Sequence, residues 1–148
     1  MRIRATSGEK TQSFRARLHA TDDAMLLTAY TPLGTSAFRL YASGDRVVFL
    51  NDVDDTRWSG TPAEFARSFA FFGDATPVTM AQLILGRRGY ERTQLGDVTI
   101  TYDPPKRVTI ARGAQRLEIE HLESDTTTAP LEEPKAPRNY RCCVPPRL

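Results

Sequence analysis

The chain has little of what catalytic and metal chemistry require. Of its 148 residues two are histidine, His19 and His121, and two are cysteine, Cys142 and Cys143, side by side near the end. His121 lies among Glu118, Glu120 and Glu123, but on a strand Glu120 points to the opposite side. Both histidines read as surface or boundary residues. A metal site wants several converging ligands, and the cysteines form no C-x-x-C pair. Adjacent cysteines are also poor disulfide partners, because ordinary bridges join Cα atoms about 4.4–6.8 Å apart. No G-x-S-x-G motif occurs. Ser7-Gly8-Glu9-Lys10-Thr11 lacks the first glycine of a phosphate loop, and Glu9 separates Gly8 from Lys10. The expectation is a non-catalytic protein with no metal and no cofactor.

Long apolar runs are absent too. No stretch of about 18 apolar residues could cross a membrane as a helix. The start, MRIRATSGEK, has no apolar segment of a signal peptide, and strand-like sequence begins at once at Arg2. A chain whose leader had been removed would begin this way. Charge of one sign is also lacking: 20 Lys+Arg against 18 Asp+Glu leave a net charge of +2, which argues against a nucleic-acid partner. Seventeen of the twenty cations are arginine, scattered along the chain, which reads as compositional bias.

What remains is an ordinary globular composition, 40% apolar and 26% charged, of a length that fits one domain and buries a core without staples. The first sixty residues alternate with period two. Phe14, Ala16, Leu18 and Ala20 share one face and Arg15, Arg17 and His19 the other; Met25, Leu27 and Ala29 continue, then Phe38 and Leu40, then Arg46–Leu50. Asp22-Asp23, Thr31-Pro32-Leu33-Gly34 and Ser43-Gly44-Asp45 are the turns between them.

The period then changes. Thr61-Pro62-Ala63-Glu64 is a capping box with proline at the first helical position, followed by Phe65, Phe69 and Phe72 at i, i+4 and i+7. Thr76-Pro77 repeats the start signal, and Val78, Ala81, Ile84 and Leu85 make a second short helix before Gly86. Alternation returns over Asp97–Tyr102, Arg107–Arg112 and Gln115–Leu122. Ser124 to Arg138 is rich in threonine, glutamate and proline and reads as a mobile linker, with a possible last strand over Tyr140–Val144. Strands, two short helices and strands again predict an α+β fold: a curved antiparallel sheet, an incomplete β-barrel, with two or three short helices as a lid on its concave face. Residues 1–123 form the half-barrel domain and 124–148 a tail.

Two features suggest a task. Phe65, Phe69, Phe71 and Phe72 put more aromatic bulk on one helix than its formation needs, and such a group packs a core or lines a cavity. Leu33 occupies the tip of a Pro–Gly turn, where it either folds back as a plug or stands exposed.

The run Thr28-Ala-Tyr-Thr-Pro-Leu-Gly-Thr-Ser-Ala-Phe-Arg-Leu40, the strand to Leu50, Thr61-Pro-Ala-Glu-Phe65 and Pro77-Val-Thr-Met-Ala-Gln-Leu-Ile-Leu-Gly86 together resemble the LolB family of outer-membrane lipoprotein receptors. The resemblance covers Phe14 to Gly86 well and Asp97 to Leu122 loosely. It implies an apolar cavity that takes the acyl chains of lipoproteins from a periplasmic carrier of the LolA type. Phe14, Leu18, Leu27, Phe38, Leu40 and Phe49 would line its sheet side, and Phe65, Phe69, Phe72 and Ile84 its helix side. It also implies that the Pro32-Leu33-Gly34 loop enters the membrane. The location implied is the periplasm, anchored at the inner leaflet of the outer membrane. The sequence departs from the family in lacking a lipidation cysteine before the first strand, in a missing or truncated first helix and in having its one tryptophan at Trp58. The expected function is non-catalytic binding of lipid acyl chains for transfer to, or anchoring at, the outer membrane. The alternative is a scaffold subunit of an envelope complex that uses the fold without moving lipid.

Overall fold

The structure, a computed structural model, describes residues 1–68, 76–84, 92–95, 97–103, 107–120 and 131–144. Six strands come first: β1 (Arg2–Ser7), β2 (Lys10–Ala20), β3 (Ala24–Tyr30), β4 (Ser36–Ser43), β5 (Arg46–Asn51) and β6 (Thr56–Gly60). Two helices follow, α1 (Pro62–Ser68) and α2 (Pro77–Ile84). Then come β7 (Arg92–Leu95), β8 (Val98–Asp103), β9 (Arg107–Arg112), β10 (Gln115–Glu120) and the two-residue β11 (Arg141–Cys142).

The strands make one sheet in the order β11-β6-β5-β4-β3-β2-β1-β10-β9-β8-β7. Each of the two halves is a meander, because each turn is too short for a crossover. The chain leaves at β6 on one side, passes through both helices and re-enters at β7 on the far side. It then works back until β10 pairs with β1, Ile119 opposite Ile3. All the ladders are antiparallel except that of β11, which runs parallel to β6.

Period-two alternation sorts the side chains onto two faces. On the inner face Leu18, Leu27, Leu40, Phe49 and Trp58 stand opposite one another in a row across five strands. Ile3, Val98, Ile100, Val108, Ile110 and Ile119 form the core of the other half, each at most 5% exposed. The outer face carries Arg2, Arg4, Arg15, Arg17 and His19, as the alternation predicts.

The predicted helix starts are present. Thr61 and Glu64 form a reciprocal capping box, the Glu64 amide donating to Thr61 Oγ1 and the Thr61 amide to Glu64 Oε1, both at 3.2 Å. The Thr79 amide donates to Thr76 Oγ1 at 3.2 Å. Pro77, Met80, Ala81 and Ile84 of α2 are buried at i, i+3, i+4 and i+7. Met80 and Ile84 join the core of one half of the sheet, and Ala81 joins that of the other with Phe65 of α1.

These placements correct the α+β expectation. The protein is mostly β: among the described residues strand makes up 58%, and the helices there are two short ones. A separate helical lid is not what the described helices form. Phe65, Met80 and Ala81 are 1–2% exposed and lie directly in the sheet's core. Helices of two turns cannot stand as a layer of their own, and their apolar stripes are satisfied by the sheet.

The tail brings two further corrections. Of the expected linker Ser124–Arg138, residues 131–138 lie against the sheet and 124–130 fall outside the described residues, while the expected last strand is present as β11. Leu131, Ala136 and Tyr140 pack on Leu26, Tyr41, Val48 and Leu50, an apolar strip on the outer face of β3–β5. Apolar side chains on the face that alternation assigns to solvent need a cover, and the tail supplies it. Cys142 and Cys143 are joined in a disulfide despite their adjacency, with Cα atoms 3.7 Å apart and Cys143 at φ 76°.

Candidate functional site

Phe14 on β2, Phe38 on β4 and Phe49 on β5 form a chain of rings on the inner face, with centroids 6.1 and 5.7 Å apart. The intervening positions are alanines: Ala16 faces Ala29 and Ala29 faces Phe38. Small residues there let rings two strands apart meet. All three phenylalanines are half-buried, as are Leu18 and Leu27, although their neighbours Ala16, Ala29 and Leu40 are buried. Helix α2 lies over β2–β4 and α1 over β5. The helix side chains reach the row of Leu18, Leu27 and Leu40 and the row beyond it, Ala20, Met25, Ala42 and Val47. Phe14 and Phe38 lie at the other end of that face, toward the β3–β4 hairpin, and keep accessible surface there.

Of the ten residues expected to line a cavity, the structure therefore puts Phe14, Leu18, Leu27, Phe38 and Phe49 on one half-buried apolar surface. Leu40, Phe65 and Ile84 are core, at 5%, 2% and 9% exposure. Phe69 and Phe72 lie outside the described residues, as do Phe71 and His121. Trp58, which the sequence reading passed over, continues the surface: its indole lies 6.3 Å from the Phe65 ring and covers Gly60, where a Cβ would meet it at 2.7 Å. Its parity with Phe49 across β5–β6 was the available signal.

The β3–β4 hairpin resolves the two readings of Leu33. The side chain is 92% exposed and folds back on nothing. The turn is closed by the Gly34 amide on the Thr31 carbonyl at 2.9 Å, with Gly34 at φ 87°, a conformation that favours glycine. Thr31 and Thr35 join their hydroxyls at 2.8 Å, and the loop Thr31–Ser36 carries no charge.

The base of this hairpin is tied to the next one by Asp52, a residue the sequence reading also missed. A bulge makes Ala37 an extra residue of β4, and the Asp52 amide donates to its carbonyl at 2.9 Å. The Asp52 carboxylate accepts from Ser36 Oγ at 2.5 Å, from Arg39 Nε and Nη2 at 3.0 and 2.8 Å, and from the Tyr140 hydroxyl at 2.5 Å. Burial pushes the Asp52 pKa up, but the hydrogen bonds from Arg39, Ser36 and Tyr140 and the Arg39 charge outweigh it, and the pKa is lowered. The same bond holds the Tyr140 hydroxyl in its protonated form to higher pH. One carboxylate thus links two hairpins to the tail.

No family model and no curated protein matches this chain. Among the described residues no group of three or more His, Cys, Asp or Glu could hold a metal ion, and no helix is long and apolar enough to cross a membrane.

Proposed function

We propose that this chain binds lipid acyl chains, without catalysis, on the apolar inner face of its sheet and delivers them at a membrane surface that Leu33 enters. The observation that carries the reading is the half-buried stripe of Phe14, Phe38, Phe49, Leu18 and Leu27, side chains that a sealed core would cover. Hydrocarbon needs no polar partner; each buried CH₂ contributes about 0.8 kcal/mol, so a chain of about a dozen carbons gains on the order of 10 kcal/mol before losses. Leu33 supports the second half of the reading, because it stands on a loop whose insertion desolvates no charge. The cargo under this reading is a lipoprotein or another lipid, passed on by a periplasmic carrier protein, and the destination is the inner leaflet of the outer membrane.

A non-transporting scaffold role is favoured by a different observation, the direct contact of Met80, Ala81 and Phe65 with the sheet, which leaves that part of the interior filled. A fluorescent fatty-acid probe separates the two. Under the lipid reading the probe binds, Phe38→Asp weakens it at least tenfold, and Leu33→Glu leaves it unchanged while abolishing association with vesicles. A probe that does not bind, or that binds Phe38→Asp as tightly as the unaltered chain, refutes it.

A further inference from the structure

The tail covers the outer face over β3–β5, and β11 lies along β6; over β1 and β2 the outer face is open and strongly cationic. Arg2, Arg4, Arg15 and Arg17 all project there and all are exposed. The register sets Arg2 directly opposite Arg15, with Arg4 and Arg17 two residues away along their strands. Like charges facing each other across a strand pair destabilise it, and nothing in the packing asks for arginine at these solvent-facing positions. The acids on this face stand on one side only, on β10. Glu118 is shared between Arg4 at 3.7 Å and Arg116 at 3.2 Å. Glu120 is opposite Arg2 in register without forming an ion pair with it. Among the described residues Arg2, Arg15 and Arg17 have no carboxylate partner. Arginines dispersed along the chain are thus gathered by the β1–β2 register into one patch.

The patch has a fixed relation to Leu33. Arg15 faces Tyr30, the last residue of β3, and Leu33 lies three residues further on. At about 3.3 Å per residue Leu33 reaches roughly 10 Å beyond that row. The headgroup layer of a bilayer is of similar depth, about 5–8 Å on each side. With Leu33 at the hydrocarbon boundary, Arg4, two residues beyond the row, stands among the headgroups, and Arg2 and Arg15 stand at their outer edge. On the other side of the β3–β4 hairpin the β5–β6 turn carries Asp54 and Asp55, both exposed. There Arg141 of β11 lies beside the two acids, its guanidinium on the Asp54 carbonyl at 3.5 Å, so that turn has no excess of cations comparable to that of β1–β2.

We infer that the lipid surface is an anionic one, and that the chain meets it end on, through the end that bears the β3–β4 hairpin, with Arg2, Arg4 and Arg15 of β1–β2 beside the headgroups. The inference rests on the membrane role of Leu33 and adds the charge class of the lipid and the orientation. The test is co-sedimentation with vesicles of phosphatidylcholine alone and of phosphatidylcholine mixed with phosphatidylglycerol. The expected result is tighter binding to the mixed vesicles, an advantage lost at high salt. Replacing Arg2, Arg4 and Arg15 together by glutamine should lower binding to the mixed vesicles by about 100-fold, near fivefold per arginine. Binding to neutral vesicles should not change. Folding is not at risk, since the change relieves a like-charge pair, and an unchanged or raised urea midpoint verifies it. Equal binding of the triple variant and the unaltered chain to mixed vesicles overturns the inference. So does an arginine-dependent affinity for a single-stranded oligonucleotide that exceeds the affinity for vesicles. If Leu33→Glu leaves all vesicle binding intact, the membrane reading itself fails. If Leu33→Glu abolishes it and the arginine variant does not alter it, only the charge inference falls.

Discussion

Removing one hydroxyl should release the tail from the sheet. Tyr140→Phe deletes the hydrogen bond to Asp52 Oδ1 and leaves the aromatic ring on Tyr41, Val48 and Leu50. A hydrogen bond to a charged acceptor contributes about 1.5–3 kcal/mol. Asp52 is nearly buried, but Tyr140 is half-exposed, so water replaces part of the loss and about 1–2 kcal/mol is expected. Urea unfolding should show this as a lower midpoint at unchanged slope. The loss should also be local: trypsin should cut after Lys135 and Arg138 sooner than in the unaltered chain, while the inner-face core stays protected. Asp52→Ala should cost more, since it also leaves Arg39 and Ser36 without their partner, and the double variant less than the sum, because both changes remove one shared bond. If Tyr140→Phe changes neither the midpoint nor the cleavage, or if the two losses are additive, the carboxylate does not anchor the tail.

Acid should loosen the same junction. The folded Asp52 carboxyl binds its proton less readily than the ordinary value of 3.8, so its contribution is complete above that pH and is lost as pH falls through the lower native value. Asp52→Asn should remove this part of the acid dependence in a pH series of urea midpoints. Met80→Ala should destabilise the protein by about 2–4 kcal/mol, since Met80 is 1% exposed beneath α2; a change near zero would mean that α2 does not sit in the core. Thr61→Ala should cost about 1 kcal/mol by uncapping α1, measured in the same unfolding assay.

Much of the local structure was readable because it depends on neighbours in the chain. The alternation over Phe14–Ala20 and Met25–Ala29 marked the strands and their inner faces. The Thr61–Glu64 box and Thr76-Pro77 marked helix starts that the backbone hydrogen bonds now display. The turn at Pro32-Leu33-Gly34 was legible from the conformations its residues favour, although whether Leu33 was plug or tip was not, since that depends on what surrounds it. The α+β expectation failed because start signals reveal where a helix begins and not whether it forms a layer or fills a core. The tail was misread because composition measures a segment's own ability to fold. Leu131, Ala136 and Tyr140 bury little by themselves and settle only on the strip of Leu26, Tyr41, Val48 and Leu50. Asp52 looked like one acid in a turn of several, and its four donors come from Ser36, Arg39 and a tyrosine 88 residues away.

The amino-acid sequence by itself determined the strands, the turns, the helix starts and which side chains share a face, because φ/ψ preferences and side-chain periodicity act over a few residues. Tertiary structure alone decided that β1 joins the two meanders, that the rings of Phe14, Phe38 and Phe49 meet, that the tail closes the outer strip and that four dispersed arginines form one surface. Those outcomes depend on register between strands, in the case of β1 with β10 and of the tail with β3–β5 between segments far apart in the chain, and no short-range preference encodes register.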